Sequence, residues 1–190
     1  MAFNAYLIFH KDARGKGQGD GIVGESTSDP EPGKTEPGAI EITDYGFGVT
    51  MPVSTSVSDG GGPTVGRANF DVFTCSKNLD TATPMLVKYC CKGTNIQSIV
   101  LHIYRSGDAA ESGAIKYAMV VFQNCVITKV GVTGGGEELP KESLEFNYGV
   151  CEYHYQETDH DTGKPAQGKK PLRSGWSTIN NKLWSEFETF

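Results

Sequence analysis

An alternation of apolar with other residues, at a period of two, runs through much of this sequence. Segment 96–105 shows it clearly, because Ile99, Leu101 and Ile103 fall on one face of an extended chain. The other segments rich in β-branched and aromatic residues are 3–9, 40–49, 68–76, 115–132 and 142–156. Side chains of a strand point alternately to the two faces of a sheet, so the pattern predicts that most of the chain is β-sheet.

Segment 115–132 is longer than an ordinary strand. We therefore expect a bulge or bend near Gln123 and Asn124, which would let one long strand serve two sheets. The 24 glycines of the chain indicate many turns between such strands.

One helix is predicted, at about 83–92. Thr81 or Thr83 can cap its N-terminus, Pro84 fits its first turn, and Gly93 can end it in the left-handed conformation. Its apolar face would carry Met85, Leu86, Tyr89 and Cys90. The predicted fold is mainly β: a β-barrel of two packed antiparallel sheets, with this one helix on its flank.

The chain of 190 residues suits a single domain over 1–190. Long loops rich in Gly, Pro, Ser and Thr are predicted at 10–38, 52–67 and 157–171, where they would serve as contact arms. The C-terminal segment 180–190 is apolar for a free tail. Its spacing is compatible with a short amphipathic helix from about residue 180, docked on the protein's own body.

The net charge and the distribution of apolar residues argue against several classes of partner. A net charge of −6 argues against non-specific nucleic-acid binding, which needs a basic surface. No stretch approaches the roughly 20 apolar residues of a membrane helix, so no membrane insertion is expected. Residues 1–10 lack a basic flank and a small-residue cleavage site, so they are interpreted as a strand and not as a signal peptide. Export would then need a dedicated machine.

The sequence offers no metal site, cofactor site or catalytic constellation. Its five cysteines, odd in number and without Cys-x-x-Cys spacing, are predicted to be free thiols in or near the core of a protein made in a reducing compartment. The glycine-rich segment 15–21 lacks the Lys-Ser/Thr ending of a phosphate loop, and segment 157–163 lacks the closing Glu of a calcium loop. We therefore expect no cofactor and no enzyme activity, although a triad assembled from distant residues stays open.

Several segments, taken in order, resemble the haemolysin-coregulated protein family, the tube subunit of bacterial type VI secretion systems. The stretch that carries most of the resemblance is Leu139 to Ser143 with Leu144, preceded by three glycines at 134–136 and followed by Phe-Asn-Tyr at 146–148. The other matching segments are 2–8, 22–26 with Gly-Glu-Ser, 40–49, 73–74, 80–84, 90–93 and Gly-Trp at 175–176. The resemblance covers about 2–180.

Two features depart from the family pattern. The insertion at about 10–21 is longer than usual, and the apolar tail after residue 180 is additional. That tail is far too short for the fused toxic domain that some members carry, so the chain resembles a plain tube subunit.

The resemblance implies a six-membered ring that stacks into a hollow tube. The tube would assemble in the bacterial cytoplasm, inside a contractile sheath on a baseplate and under a spike protein. It would then be secreted to the exterior or into a target cell without a signal peptide. Its expected partners are further copies of itself, the spike, the sheath and baseplate, and secreted effectors carried in the lumen.

The resemblance also indicates candidate site residues. The strand at 40–49 would contribute to the lumen wall, which makes Gly46 a candidate cargo-facing position; the alternative is a glycine tolerated because a neighbour packs closely. Contact between subunits or rings would fall to the loop residues Ser54, Thr55, Ser56, Val57, Ser58 and Asp59.

Three alternatives stay open at this point. The first is a tube protein of a related contractile injection machine or phage tail. The second is a monomeric ligand-binding β-sandwich, which would expose Trp or Tyr on one face, whereas most aromatic residues here are predicted to point into the core. The third is a hydrolase on a β scaffold, which needs a cleft with convergent titratable groups.

Overall fold

The computed structural model describes residues 3–10, 22–26, 38–54, 64–105, 115–136, 139–159, 166 and 168–184. These residues form one helix and fourteen strands. The elements are β1 (Phe3–His10), β2 (Ile40–Ile42), β3 (Asp44–Gly46), β4 (Val49–Thr50), β5 (Val53–Ser54), β6 (Thr64–Val65), β7 (Asn69–Phe70), β8 (Phe73–Asn78), α1 (Thr83–Lys92), β9 (Asn95–Arg105), β10 (Ile115–Thr133), β11 (Lys141–Asn147), β12 (Val150–Tyr155), β13 (Leu172–Ser177) and β14 (Lys182–Leu183).

Strand β10 organises the sheet. Over its first half it pairs with β12, ending at the pair Gln123 with Val150, and over its second half it pairs with β11, beginning at Val126 with Asn147. Between the two halves Asn124 adopts the left-handed conformation, with φ of 54°. The predicted bend near Gln123 and Asn124 is thus the point where the long strand changes its partner.

Ten strands belong to one antiparallel sheet. Its main path is β14-β13-β12-β10-β11-β8-β3, while β9 pairs with β10, β1 with β9 and β2 with β1. The segment 40–46 joins the two halves, because β2 pairs with β1 and β3, directly after it, pairs with β8. The mainly β fold with one helix is confirmed. The predicted barrel is not closed, however, because the described strands fold over one another without joining into a complete ring.

The sheet folds over on itself into two layers, and the core lies between them. Alternate residues of β1, β9 and β10 point into it, as the period of two predicts. At its centre the ring of Phe73 lies 4.5 Å from Phe146 and 5.2 Å from Phe122, between ring centroids. Such offset and edge-to-face aromatic contacts fix the two layers relative to each other.

The helix spans the residues that the sequence predicts, Thr83–Lys92, and Gly93 ends it with φ of 60°. Leu86 and Tyr89 are buried, while Met85 and Cys90 pack against the same core.

The predicted threonine cap of the helix is wrong. Ala82 occupies the capping position and no side chain caps the helix there. Instead, Asp80 accepts a hydrogen bond from the N–H of Ala82 at 3.0 Å. Thr81 donates to the carbonyl of Val23, and Thr83 donates to the carboxylate of Glu142, so both hydroxyls are used elsewhere.

Three further expectations need revision. The segment 142–156 is two strands, separated by a turn at Tyr148 and Gly149. The predicted loop 52–67 contains the paired strands β5 and β6. Residues 182–183 are the edge strand β14, so the helix expected from about 180 is wrong in the described part of the tail.

All five cysteines are free, as predicted. Cys75 and Cys125 are buried, but Cys91 is exposed, so the predicted place in or near the core is wrong for Cys91. No helix among the described residues is long and apolar enough to cross a membrane.

Candidate assembly surfaces

Two short strand pairs follow one another after β3. β4 pairs with β7, and β5 pairs with β6. Where the two pairs meet, Gly66 donates its N–H to the carbonyl of Pro52 at 2.9 Å. Residues 49–54 and 64–70 therefore form an ordered ribbon, called the arm below.

The arm presents apolar side chains to solvent. Val49, Met51 and Val53 are 58%, 49% and 52% exposed. They alternate along the chain with Thr50 and Pro52, so they form a row and not isolated positions. Contiguous apolar surface of this kind marks a contact site more often than a free surface.

One hydrogen bond ties the arm to the body of the protein. The guanidinium of Arg67, between β6 and β7, donates to the carbonyl of Thr178, in the turn between β13 and β14. At the base of the arm, the N–H of Asp71 donates to the carbonyl of Gly48 at 2.9 Å, which continues the pairing of β4 with β7. The arm is thus closed at its base and bonded at Arg67 to a turn distant in sequence.

A groove opens beside the arm. Its volume is about 270 Å³, and no residue of its lining carries a charge. It is called the aromatic groove, and it is lined by Phe47, Gly48, Val49, Phe70, Cys151, Tyr153, Ser174, Gly175 and Trp176. A cavity of this size, slightly below the roughly 300–1,000 Å³ of small-molecule sites, suits one or two inserted side chains.

The floor of the groove continues into the core. The ring of Phe47 lies 6.0 Å from Phe73, 5.5 Å from Phe122 and 6.5 Å from Tyr153, measured between centroids. Tyr153 itself is 40% exposed, so it forms the rim. A surface supported in this way by packed rings is preorganised for contact.

Electrostatically the groove is neutral. Burial, and then the neighbouring Tyr117, raise the pKa of the Tyr153 hydroxyl. Burial, and then Glu152, raise the pKa of the Cys151 thiol to about 12. The thiol therefore stays protonated at neutral pH and is a poor nucleophile, so the groove is suited to apolar contact and not to covalent chemistry.

Gly46 lies in β3, beside Thr74 of β8. Its neighbour Tyr45 turns inward and stacks on Phe73, with centroids 6.4 Å apart, so Gly46 faces outward. A Cβ atom at Gly46 would lie 3.2 Å from the side-chain oxygen of Thr74. This close neighbour is a hydroxyl that can rotate away, and not backbone. Close packing by a neighbour therefore favours a small residue at position 46 but does not require glycine.

Of the six candidate contact residues, one lies among the residues that the structure describes. Ser54 ends β5, within the arm. Thr55, Ser56, Val57, Ser58 and Asp59 lie outside the described residues. The structure therefore brings one of the six to the apolar arm, and Gly46 lies a few residues before that arm in the chain.

The aromatic groove was missed by sequence reasoning. Tyr153 and Tyr155, each 40% exposed, are exceptions to the expectation that most aromatic residues point into the core. The available signal was the alternation in 150–156, where these tyrosines occupy the positions between Glu152, His154 and Gln156. A period of two would place the tyrosines inward and the polar residues outward. The structure shows the reverse: Glu152, His154 and Gln156 are buried, and the tyrosines face outward.

One buried ionisable pair bears on the hydrolase alternative. His154 Nε2 lies 3.1 Å from Glu152 Oε1, and their side chains are 0% and 3% exposed. These groups lie on the opposite face of β12 from the aromatic groove and are closed to solvent. They do not form a cleft that a substrate could enter.

The fold and these surfaces define a class first: a mainly β protein that exposes apolar side chains on an arm and in an adjoining groove. The model of the family described as "Type VI secretion system effector, Hcp" matches residues 16–155, well over half of the sequence. The chain belongs to this Hcp family, a family of structural tube proteins. No curated protein sequence matches this chain closely enough to count as a relative.

Solved structures share the fold. A type six secretion system protein has a TM-score of 0.77 at 23% identity, covering 96% of this chain and 100% of that one. Hcp1 from Salmonella typhimurium has a TM-score of 0.67 at 20% identity, covering 97% of this chain and 100% of the other. Hcp1 from the E. coli EAEC 042 pathovar has 0.67 at 19% identity, with 93% and 99% covered.

Proposed function

We propose that this chain is a subunit of the inner tube of a type VI secretion system, with a structural and not a catalytic role. Copies would associate into six-membered rings, the rings would stack, and the tube would be expelled from the cell with effectors in its lumen. The observation that carries this proposal is the pair of apolar surfaces, arm and aromatic groove, on a chain of the Hcp family.

The arm and the groove adjoin, since Val49 belongs to the arm and also lines the groove. Exposing apolar surface to water costs a monomer about 25 cal/mol of free energy per Å². This cost is removed when a second protein covers the surface. An arm that leaves one copy and a groove on the next form a heterologous contact. Contacts of this kind close a ring or extend a stack, whichever their rotation allows.

The remaining partners follow from the same proposal. The spike would cap the tube, and the sheath and baseplate would surround and seat it. Cargo would contact the lumen wall near Gly46, whose outward-facing position on β3 is compatible with that role. The subunit would be made in the cytoplasm and leave it only through the machine.

Solution mass tests the assembly. We expect the wild type to elute as a ring of six chains in light scattering behind size exclusion, with ring-shaped particles in negative stain. Val53→Asp on the arm should shift most of the protein to the 20.5 kDa monomer. The matched control is Leu139→Asp, which places the same charge at an apolar residue that is 74% exposed but lies away from the arm.

A wild type that stays monomeric at high concentration would overturn ring formation by the free chain. Equal loss of rings in both variants would show that the arm is not part of the contact between subunits.

Cargo carriage has its own test. Gly46→Trp should leave the rings intact, because the position faces outward, and should reduce co-purification of an effector by filling the wall of the lumen. Gly46→Ala, whose Cβ needs only a shift of the Thr74 hydroxyl, is the control and should retain cargo. Retention by the tryptophan variant would show that Gly46 does not line the cargo site.

A further inference from the structure

The aromatic groove lies between two strand pairs. One wall belongs to the base of the arm, where Val49 pairs with Phe70. The other wall belongs to the body, where Trp176 of β13 pairs with Cys151 of β12. Because the two walls come from separate parts of the chain, the width of the groove depends on how firmly the arm is held against β13.

The hydrogen bond from Arg67 to Thr178 joins these two walls. Arg67 lies three residues before Phe70, and Thr178 lies two residues after Trp176. The bond therefore crosses from one wall to the other, just beyond the residues that line the groove. Its donor is a guanidinium, and hydrogen bonds from charged groups are stronger than those between neutral groups.

The carbonyl that accepts this bond is held in place by its own turn. The N–H and the hydroxyl of Thr178 both donate to the carbonyl of Gly149, each at 2.9 Å. Ile179 packs so closely on Gly149 that a Cβ atom there would lie 2.6 Å from its Cδ1 atom. The N–H of Gly149 donates in turn to the carbonyl of Gln123 at 2.9 Å, at the bend of β10. The arm is thus bonded to a fixed point of the body.

The arm itself has little to hold it in this position. Its strands β4, β5, β6 and β7 are each two residues long. A two-stranded ribbon is only marginally stable in water unless it packs on another element. At the base, the ring of Phe70 meets the ring of Tyr148 edge to face, with centroids 6.3 Å apart. Among the described residues, this contact fixes the base of the arm, and the bond of Arg67 fixes a point further along it.

We propose that Arg67 is a positioning residue for the contact between subunits. Its bond to Thr178 holds the arm against β13. This bond sets the width of the aromatic groove and the direction in which the arm presents Met51 and Val53. The role in the contact rests on the proposed tube function, whereas the width of the groove is a property of the single chain.

A second copy of this chain is the occupant that the charges favour. Each chain has a net charge of −6, so two copies repel one another over most of their surface. No residue of the groove lining carries a charge, and the exposed row of the arm is apolar. An arm that enters the groove of the next copy therefore avoids this repulsion and buries no unpaired charge.

The fluorescence of Trp176 measures the width of the groove in one chain. The chain has two tryptophans, so Trp184→Phe leaves Trp176 as the single emitter. This background loses no hydrogen bond among the described residues, since Nε1 of Trp184 has no partner there. Val53→Asp is added to keep the protein monomeric. In Arg67→Met, we expect acrylamide to quench Trp176 more strongly and its emission to move to longer wavelength, because the opposite wall moves away.

Two variants give the controls for this measurement. Lys88→Met removes the same charge from an exposed residue of the helix and should leave the fluorescence of Trp176 unchanged. Arg67→Lys keeps a cationic donor and should restore part of the protection. Equal quenching in Arg67→Met and Lys88→Met would overturn the proposal, because the arm would then keep its position without the guanidinium.

Dissociation of the rings on dilution tests the contact, in proteins with Val53 and both tryptophans. Arg67→Met should raise the concentration at which half of the rings dissociate by about threefold, whereas Lys88→Met should not. The urea midpoint of the monomeric background should stay the same in both variants because Arg67 and Lys88 are exposed. This control separates a misplaced arm from a less stable fold.

An opened groove with unchanged ring dissociation would overturn the positioning role of Arg67. A wild type that forms no rings would instead refute the proposed tube function. The quenching of Trp176 would then still decide whether Arg67 sets the width of the groove.

Discussion

Strand β11 carries two glutamates that each meet a lysine from a neighbouring strand, and the two pairs behave differently. Lys77 of β8 lies 3.2 Å from Glu142, and neither side chain is exposed. Lys129 of β10 lies 2.7 Å from Glu145, with 57% and 30% exposure. The shorter distance belongs to the exposed pair. Distance alone therefore does not rank these ion pairs, because the surrounding medium sets what each one contributes.

The buried lysine also has more partners. Its ammonium donates to Asp80 at 2.7 Å and to the carbonyl of Asn78 at 3.0 Å, in addition to its contact with Glu142. Asp80 accepts from the N–H of Ala82, the residue that precedes α1, and Thr83 of the first turn donates to Glu142. One buried cation thus joins β8, β11 and the start of the helix. The exposed pair joins only two strands.

Replacing the buried cation should have the largest effect on the free energy of unfolding. Lys77→Met keeps a long apolar side chain but leaves the carboxylates of Glu142 and Asp80 without their shared cation. Removing one partner of a buried pair costs about 3–5 kcal/mol. We expect a loss of this size in urea unfolding, seen as a lower midpoint at unchanged slope.

The double variant Lys77→Met with Glu142→Leu sharpens that result. Oε1 of Glu142 has no hydrogen-bond partner among the described residues, so the native cluster is not fully satisfied. Removing both charges should therefore recover part of the loss of the single variant, since an apolar pair carries no buried unpaired charge. If the double variant were less stable than Lys77→Met, packing and not charge would govern this site.

The thiol beside the cluster gives a pH-dependent effect of intermediate size. Burial, and then Asp44, raise the pKa of Cys75 from 9.0 to about 12, while Lys77 lowers it. The folded chain thus keeps a proton that the unfolded chain releases. Stability that is present below pH 9 is lost as the pH rises from 9 to about 12, at about 1.4 kcal/mol per pH unit near the middle of this window.

The measurement is urea unfolding of the wild type and of Cys75→Val between pH 8 and 11. Cys125, Cys151 and the tyrosines titrate in both proteins, so the difference between the two slopes isolates Cys75. The wild type should lose stability more steeply. Parallel curves would mean that this thiol is not held protonated by the fold.

Sequence reasoning could predict the elements that depend on local pattern. The helix Thr83–Lys92 and the bend near Asn124 follow from proline, glycine and strand-length rules, which act over a few residues. The Lys77 cluster could not be predicted, because Glu142 reaches Lys77 only through the pairing of β8 with β11. Local patterns do not encode which strands pair.

The same limit applies to the candidate site. The aromatic groove combines Phe47, Tyr153 and Trp176, which are distant in sequence and meet through strand pairing. The outer part of the arm, β5 and β6, was predicted as part of a loop because its strands are two residues long, too short to show a period. The resemblance to the family gave its approximate place but not its apolar row.

The exposed pair should show the smallest effect, and it completes the comparison. Lys129→Met makes the same substitution as Lys77→Met, at a lysine whose partner Glu145 stays in contact with water. Exposed pairs contribute about 0.2–1 kcal/mol, because water solvates each charge when the other is removed. The loss should shrink further in 0.5 M salt, where screening shortens the range of surface charges, while the effect of Lys77→Met should persist. A loss at Lys129 as large as that at Lys77 would contradict the view that burial, and not the presence of an ion pair, determines the cost.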